Sequence, residues 1–163
     1  MDDKKISEIV EAVKRNLEGA GNVSYIKENI TLDAAKRLAD KVEAEAKKIG
    51  VRAVIAIANS GANPVLVHAT DDSFIASFAV AVSKAYTSVS LKIATADLKP
   101  LANPGGPLYG IQFTDPGKIA VFGGGDQLKK NGTIIGAIGV SGGTEEEDTY
   151  LSAFGAKVFG EEF

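Results

Sequence analysis

The chain has 163 residues, no cysteine and a single histidine, with 45% hydrophobic residues, 24% charged residues and a formal net charge of -3. That length suits one domain with a substantial hydrophobic core, and the composition is that of an ordinary globular protein. Without cysteine there are no disulfides, no thiolate metal sites and no thiol nucleophile, and one histidine restricts most catalytic and metal schemes.

Charge is unevenly spread. Residues 1–50 balance ten basic against ten acidic side chains, residues 51–143 carry seven against five, and residues 144–163 carry one against six. No basic stripe results, which argues against a nucleic-acid partner. No uncharged apolar stretch approaches the ~20 residues that span a bilayer, so no membrane association is expected. Met1-Asp2-Asp3-Lys4-Lys5 leads into a polar-faced segment rather than a signal-peptide core, so the expected location is cytoplasmic.

Ile6, Ile9, Val10, Val13 and Leu17 form an amphipathic stripe that Gly19-Ala20-Gly21-Asn22 interrupts. Residues 1–28 are therefore expected to be an N-terminal helix and linker, and residues 29–163 the main domain. Such a stripe serves equally for packing on a subunit or for docking into another protein's groove.

Thr31 is placed to cap a helix whose inward face is Leu32, Ala35, Ala39, Val42, Ala46 and Ile49, with Gly50 ending it. Val51–Ala58 reads as a buried strand, Asn59–Asn63 as a turn and Pro64–His68 as the returning strand of a hairpin. Thr70, Asp71 and Asp72 are candidate caps for a largely apolar helix over 73–90, in which Lys84 is the only charge. A lone lysine there either stretches to the surface or meets an anionic ligand. A short helix follows over Thr95–Leu101, stopped near Pro100, and then a glycine- and proline-rich loop over Asn103–Gly110. Lys118–Phe122 reads as a further strand, and Asn131-Gly132 marks a hairpin between Gln127–Lys130 and Thr133–Val140. Thr144 and Glu147 form a capping box that opens a last helix over Glu145–Phe159. About five strands with two hairpins and segregated helices give an α+β class with an antiparallel sheet.

Gly139-Val140-Ser141-Gly142-Gly143 matches a G-x-S-x-G nucleophile elbow. The only available base, His68, precedes the serine, the reverse of the hydrolase order, and the parallel sheet is missing. The glycines fit no dinucleotide or phosphate-loop spacing. The carboxylates of Asp71-Asp72 and Glu145–Asp148 sit where helix N-termini favour negative charge, a reading preferred to metal binding. His68 is a candidate haem axial ligand as well as an ordinary strand-end histidine, with Tyr86, Tyr109 and Lys84 as substitutes. A haem would be held non-covalently, since C-x-x-C-H is missing. The remaining alternative, a small-molecule lyase or oxidoreductase using Lys84 or Asp148 as acid or base, has no local motif behind it.

Thr31-Leu32-Asp33-Ala34-Ala35, Val54–Ala58 with its hairpin, Ser83-Lys84-Ala85-Tyr86-Thr87, Gly124-Gly125-Asp126-Gln127-Leu128, and Gly136–Gly143 with Asp148 together resemble the GlcG/HbpS haem-binding family. That family includes the C-terminal domain of PduO-type proteins, and the likeness spans about residues 29–159. It implies a profilin-like or PAS-like five-stranded antiparallel sheet between helices, a homo-oligomer, and haem or a related tetrapyrrole as cofactor, with haem degradation in some members. The cofactor-binding residues it implies are Lys84, Thr87, Gly124, Gly125, Ser141, Gly142 and Asp148, to which His68 is added for iron. The chain departs from the family pattern at His68–Asp72, where R-M-D-G-A is usual, and at Gln127, which stands for a proline. The N-terminal stripe resembles targeting helices of bacterial microcompartment proteins, which implies a shell or partner enzyme as its docking site. Without haem, the chain would be a non-enzymatic assembly component.

Overall fold

The computed structural model describes Glu11 and residues 28–163. Apart from Glu11 and residue 28, the expected N-terminal helix and linker lie outside the described residues.

Thr31 caps α1 (Leu32–Lys48), its hydroxyl accepting the Ala34 N–H at 3.2 Å. The buried face is Ala35, Leu38, Ala39, Val42 and Ala46, whereas Leu32 and Ile49, expected inward, are 50% and 39% exposed. Leu38 occupies the stripe between Ala35 and Val42 that an i, i+3, i+7 count requires. β1 (Val54–Asn59) and β2 (Pro64–Ala69) form the first hairpin, whose turn is held by the Asn59 side chain accepting from Gly61 N and Asn63 N. β3 (Gly125–Lys130) and β4 (Thr133–Ser141) form the second. At its tip Asn131 and Gly132 both have positive φ, 50° and 78°, as a twist-matched two-residue turn demands.

The strands run β2-β1-β4-β3, all antiparallel. The sheet has four strands among the described residues, not five. The expected strand over 118–122 does not form: Ala120 N donates to Thr87 Oγ1 and Gly123 N to Glu145 Oε1, both at 2.9 Å, so side chains take donors that a neighbouring strand would have used.

Strand alternation divides the core in two. Ile55, Ile57, Ile138 and Val140 face α1 and α4 (Glu145–Glu162), packing on Leu38, Val42, Leu151 and Phe159. Val54, Ala56 and Ala58 face the other way, onto Ala81 and Ala85 of α2 (Ile75–Ser90). α2 is not capped by Thr70, Asp71 or Asp72: Phe74 is its N-cap residue, without a side-chain hydrogen bond, and Asp72 lies in a left-handed turn at φ 60°. The short α3 (Thr95–Ala102) carries Pro100 inside and ends two residues beyond it. The Thr144–Glu147 capping box forms as expected, and α4 continues past Phe159 to Glu162.

Candidate functional site

α2 approaches the sheet where β3 and β4 have no side chains. Gly139 pairs with Gly125 across the two strands. A Cβ on Gly139 would overlap the Ala81 carbonyl, and one on Gly125 would stand 2.6 Å from the Lys84 carbonyl. The helix therefore rests on bare backbone, which fixes where its next residues point.

Lys84 points inward and is wholly buried. Its Nζ donates to Asp148 Oδ2 at 2.7 Å and to the Val140 carbonyl at 2.8 Å, and lies 4.9 Å from the centre of the Phe122 ring. Val140 donates its own N–H to Gly124 O at 2.7 Å. Gly124, at φ 112°, sits just before β3, so the lysine serves a carbonyl at the point where the β3–β4 ladder gives out. Asp148 is completed by Gly143 N, which donates to Oδ1 at 2.9 Å. Burial pushes the Lys84 ammonium below its usual range and the Asp148 carboxyl above its own, while their mutual contact pulls both back toward the charged forms. The lysine thus neither reaches the surface nor stands open to a ligand; its anion is Asp148.

The residues implied by motif are partly brought together. Lys84, Gly124 and Asp148 are in contact, and Gly125 lies beneath the Lys84 carbonyl. Thr87, one turn on, binds the 118–120 segment, and the Ser141 hydroxyl donates to Ser77 Oγ at 3.1 Å. All of these are buried. Gly142 lines a cleft of about 360 Å³ with Arg52, Asp72, Phe74 and Glu147. The N–H groups at this corner are engaged by the chain's own acids and cap: Gly143 N by Asp148, Thr144 N by Glu147, and Glu147 N by Thr144. The corner is self-capped and carries Glu145, Glu146, Glu147 and Asp148 in its first turn.

His68 is not part of this group. It pairs with Ile55, so its side chain lies on the α1 side of the sheet, where Nε2 is 2.8 Å from Glu43 Oε2. Lys84, Thr87 and the rest of α2 stand on the opposite face.

Tyr86, by contrast, opens onto a cleft of about 370 Å³ with Pro64, Val82, Ser83 and Lys118. Its hydroxyl donates to Asp115 Oδ2 at 2.7 Å, a bond that raises the phenol pKa. Lys118 Nζ stands 5.6 Å above the Tyr86 ring centre and 3.3 Å from Asp115. Toward its N-terminus the same helix exposes Phe74 (71%), Ile75 (98%) and Phe78 (53%). Tyr109 lies exposed in the loop before the 3-10 turn Ile111–Phe113.

Sequence reasoning missed Phe122, whose ring covers the lysine, and Thr95, whose hydroxyl takes the Gly125 N–H at 2.8 Å. Thr95 carried a signal as a hydroxyl residue at a helix start; Phe122 carried none.

The sequence profile of the family described as haem degrading protein HbpS-like matches residues 30–157. An uncharacterised 15.0 kDa protein from the dhaT-dhaS intergenic region of Citrobacter freundii is 42% identical over 132 residues, covering 81% of this chain and 93% of that protein. The crystal structure of Klebsiella pneumoniae ORFY superposes with a TM-score of 0.81 at 38% identity, over 85% of this chain and 95% of that one. A PduOC–haem complex gives a TM-score of 0.76 at 29% identity, over 79% and 94%.

Proposed function

The chain belongs to the HbpS-like haem-degrading family, and on that premise we propose that it is a haem-binding accessory protein. A haem needs apolar surface for its macrocycle, an axial ligand for iron and cations near its propionates. Lys84, Thr87, Ser141 and Asp148 are buried and bonded to one another, to the Ser77 hydroxyl or to backbone, so they frame a site without lining it. The observation that carries the reading is the cleft on the outer side of α2. There Pro64 and Val82 supply apolar wall, Tyr86 a phenol and Lys118 an ammonium. Bound there, haem would supply an iron centre; Tyr86 would stand as its ligand and Lys118 as a propionate partner. The PduOC–haem complex supports haem as the ligand.

The test is a haem titration of the full chain, following the Soret band. Wild type is expected to shift the band, His68→Ala to match wild type, and Tyr86→Phe to give a different band position. No shift with wild type, or loss of the shift in His68→Ala, would overturn the assignment.

Two further proposals accompany this reading. We propose that the exposed Phe74, Ile75 and Phe78 cover the same residues of a second copy, a homo-oligomer contact that Ile75→Asp should break in analytical ultracentrifugation. We also propose that the N-terminal stripe of Ile6, Ile9, Val10, Val13 and Leu17 docks onto a microcompartment shell or a partner enzyme. Deleting residues 1–20 should then abolish co-sedimentation while leaving the core folded.

A further inference from the structure

The side of the sheet opposite α2 carries a second cluster that the haem reading does not use. α1 presents Asp40 and Glu43, three residues apart and hence neighbours on one helical face. β2, the edge strand beside β1, presents His68 to the same place, because its pairing with Ile55 turns it toward α1. One ligand atom from each of the three residues falls within 4.8 Å of the other two. Among the described residues this is the one such grouping of three histidine or carboxylate side chains.

We propose that Asp40, Glu43 and His68 form a binding site for a first-row divalent transition metal ion. Three observations specify the class. One imidazole nitrogen with two carboxylate oxygens suits Mn²⁺ through Zn²⁺; a hard ion such as Ca²⁺ would favour an all-oxygen set. Glu43 and His68 are half-buried and already converge, with Nε2 and Oε2 at 2.8 Å, while Asp40 is exposed and free to close on an ion. The Glu43 carboxylate is also oriented from behind: its second oxygen, Oε1, binds Lys47 Nζ at 2.5 Å. Three protein ligands leave the outer positions to water or to a fourth donor, so the site is open and accessible from solvent.

The probes are Zn²⁺ by calorimetry and Co²⁺ by visible absorption, both on untagged full-length protein. Wild type is expected to bind one ion, and His68→Ala and Asp40→Asn each to weaken it by about tenfold or more. Because the chain holds one histidine, its imidazole proton resonances report without any mutation, and paramagnetic Co²⁺ should shift or broaden them. Imidazole resonances untouched by Co²⁺, or equal affinity in wild type and variants, would overturn the site. The haem titration stays independent: His68→Ala should lose the metal and keep the Soret shift.

Discussion

The two faces of the sheet solve the same packing problem by different means. On the α1 and α4 side the sheet is filled by volume: Leu38, Val42, Ile55, Ile57, Ile138, Leu151 and Phe159 interlock with no ionised group among them. On the α2 side the apolar cluster is small, made of Val54, Ala56, Ala58, Ala81 and Ala85. Around it lie Ser77, Lys84, Thr87, Ser88, Ser141 and Asp148, all buried. One helix is held by dispersion and the hydrophobic effect; the other lies close to backbone, and its polar groups must each find a partner. The second arrangement is the more easily damaged, because a lost partner leaves a buried charge behind.

The largest expected effect follows from that asymmetry. Lys84→Ala leaves Asp148 buried without its cation and strips the Val140 carbonyl of its donor, a loss of about 4 kcal/mol by urea denaturation. The double variant Lys84→Met with Asp148→Leu should recover most of it, since an apolar pair replaces two compensating charges. If the single and double variants were equally unstable, the pair would owe its place to shape and not to charge. On the opposite face Leu38→Ala should cost about 3 kcal/mol through cavity formation, with no comparable rescue by a second substitution.

Gly139→Ala sharpens the contrast at the backbone. The new Cβ overlaps the Ala81 carbonyl, and a helix backbone cannot swing aside as a side chain can. A cost of about 2–3 kcal/mol is expected, with α2 lifted from the sheet. Amide exchange in α2 should accelerate while that of α1 stays unchanged.

These residues also mark how much could be read in advance. The hairpins were legible because Asn131-Gly132 and Asn59–Asn63 carry local turn chemistry, and the last helix because Thr144 and Glu147 cap it locally. The segment 118–122 was misread as a strand because a short apolar run says nothing about where its N–H groups go; here a threonine from α2 takes that of Ala120, and a glutamate from α4 takes that of Gly123 just beyond. Lys84 was legible as unusual, but its partner lies 64 residues away, and no local pattern fixes such a pairing. His68 was added to the Lys84 group for iron, as the chain's one histidine. Strand alternation alone leaves open which side of the sheet it faces, and only the pairing with β1 decides that. Gly124 and Gly125 were implied by resemblance to bind the cofactor, and around them the room is filled by the chain's own lysine and helix backbone.

The smallest effect concerns two carboxylates three residues apart in the first turn of α4, which respond to the fold in opposite senses. Asp148, buried, is pushed above its usual 3.8. Glu145 is pulled below its usual 4.5, first by the Gly123 N–H and then by Lys99. For Glu145 the unfolded chain binds more protons between the two values, so its stabilising contribution is present above 4.5 and is lost as pH falls through the folded value. Glu145→Gln should therefore be less stable than wild type near neutrality, with the gap closing in denaturation series taken from about pH 7 down to about pH 3. Asp148 works in the reverse sense: through its own window the folded chain holds the proton more tightly, so desolvation there does not make the fold acid-labile. A gap that stayed constant with pH in Glu145→Gln would mean that Gly123 and Lys99 do not read the charge of this carboxylate, and that the segment before β3 is held by packing alone.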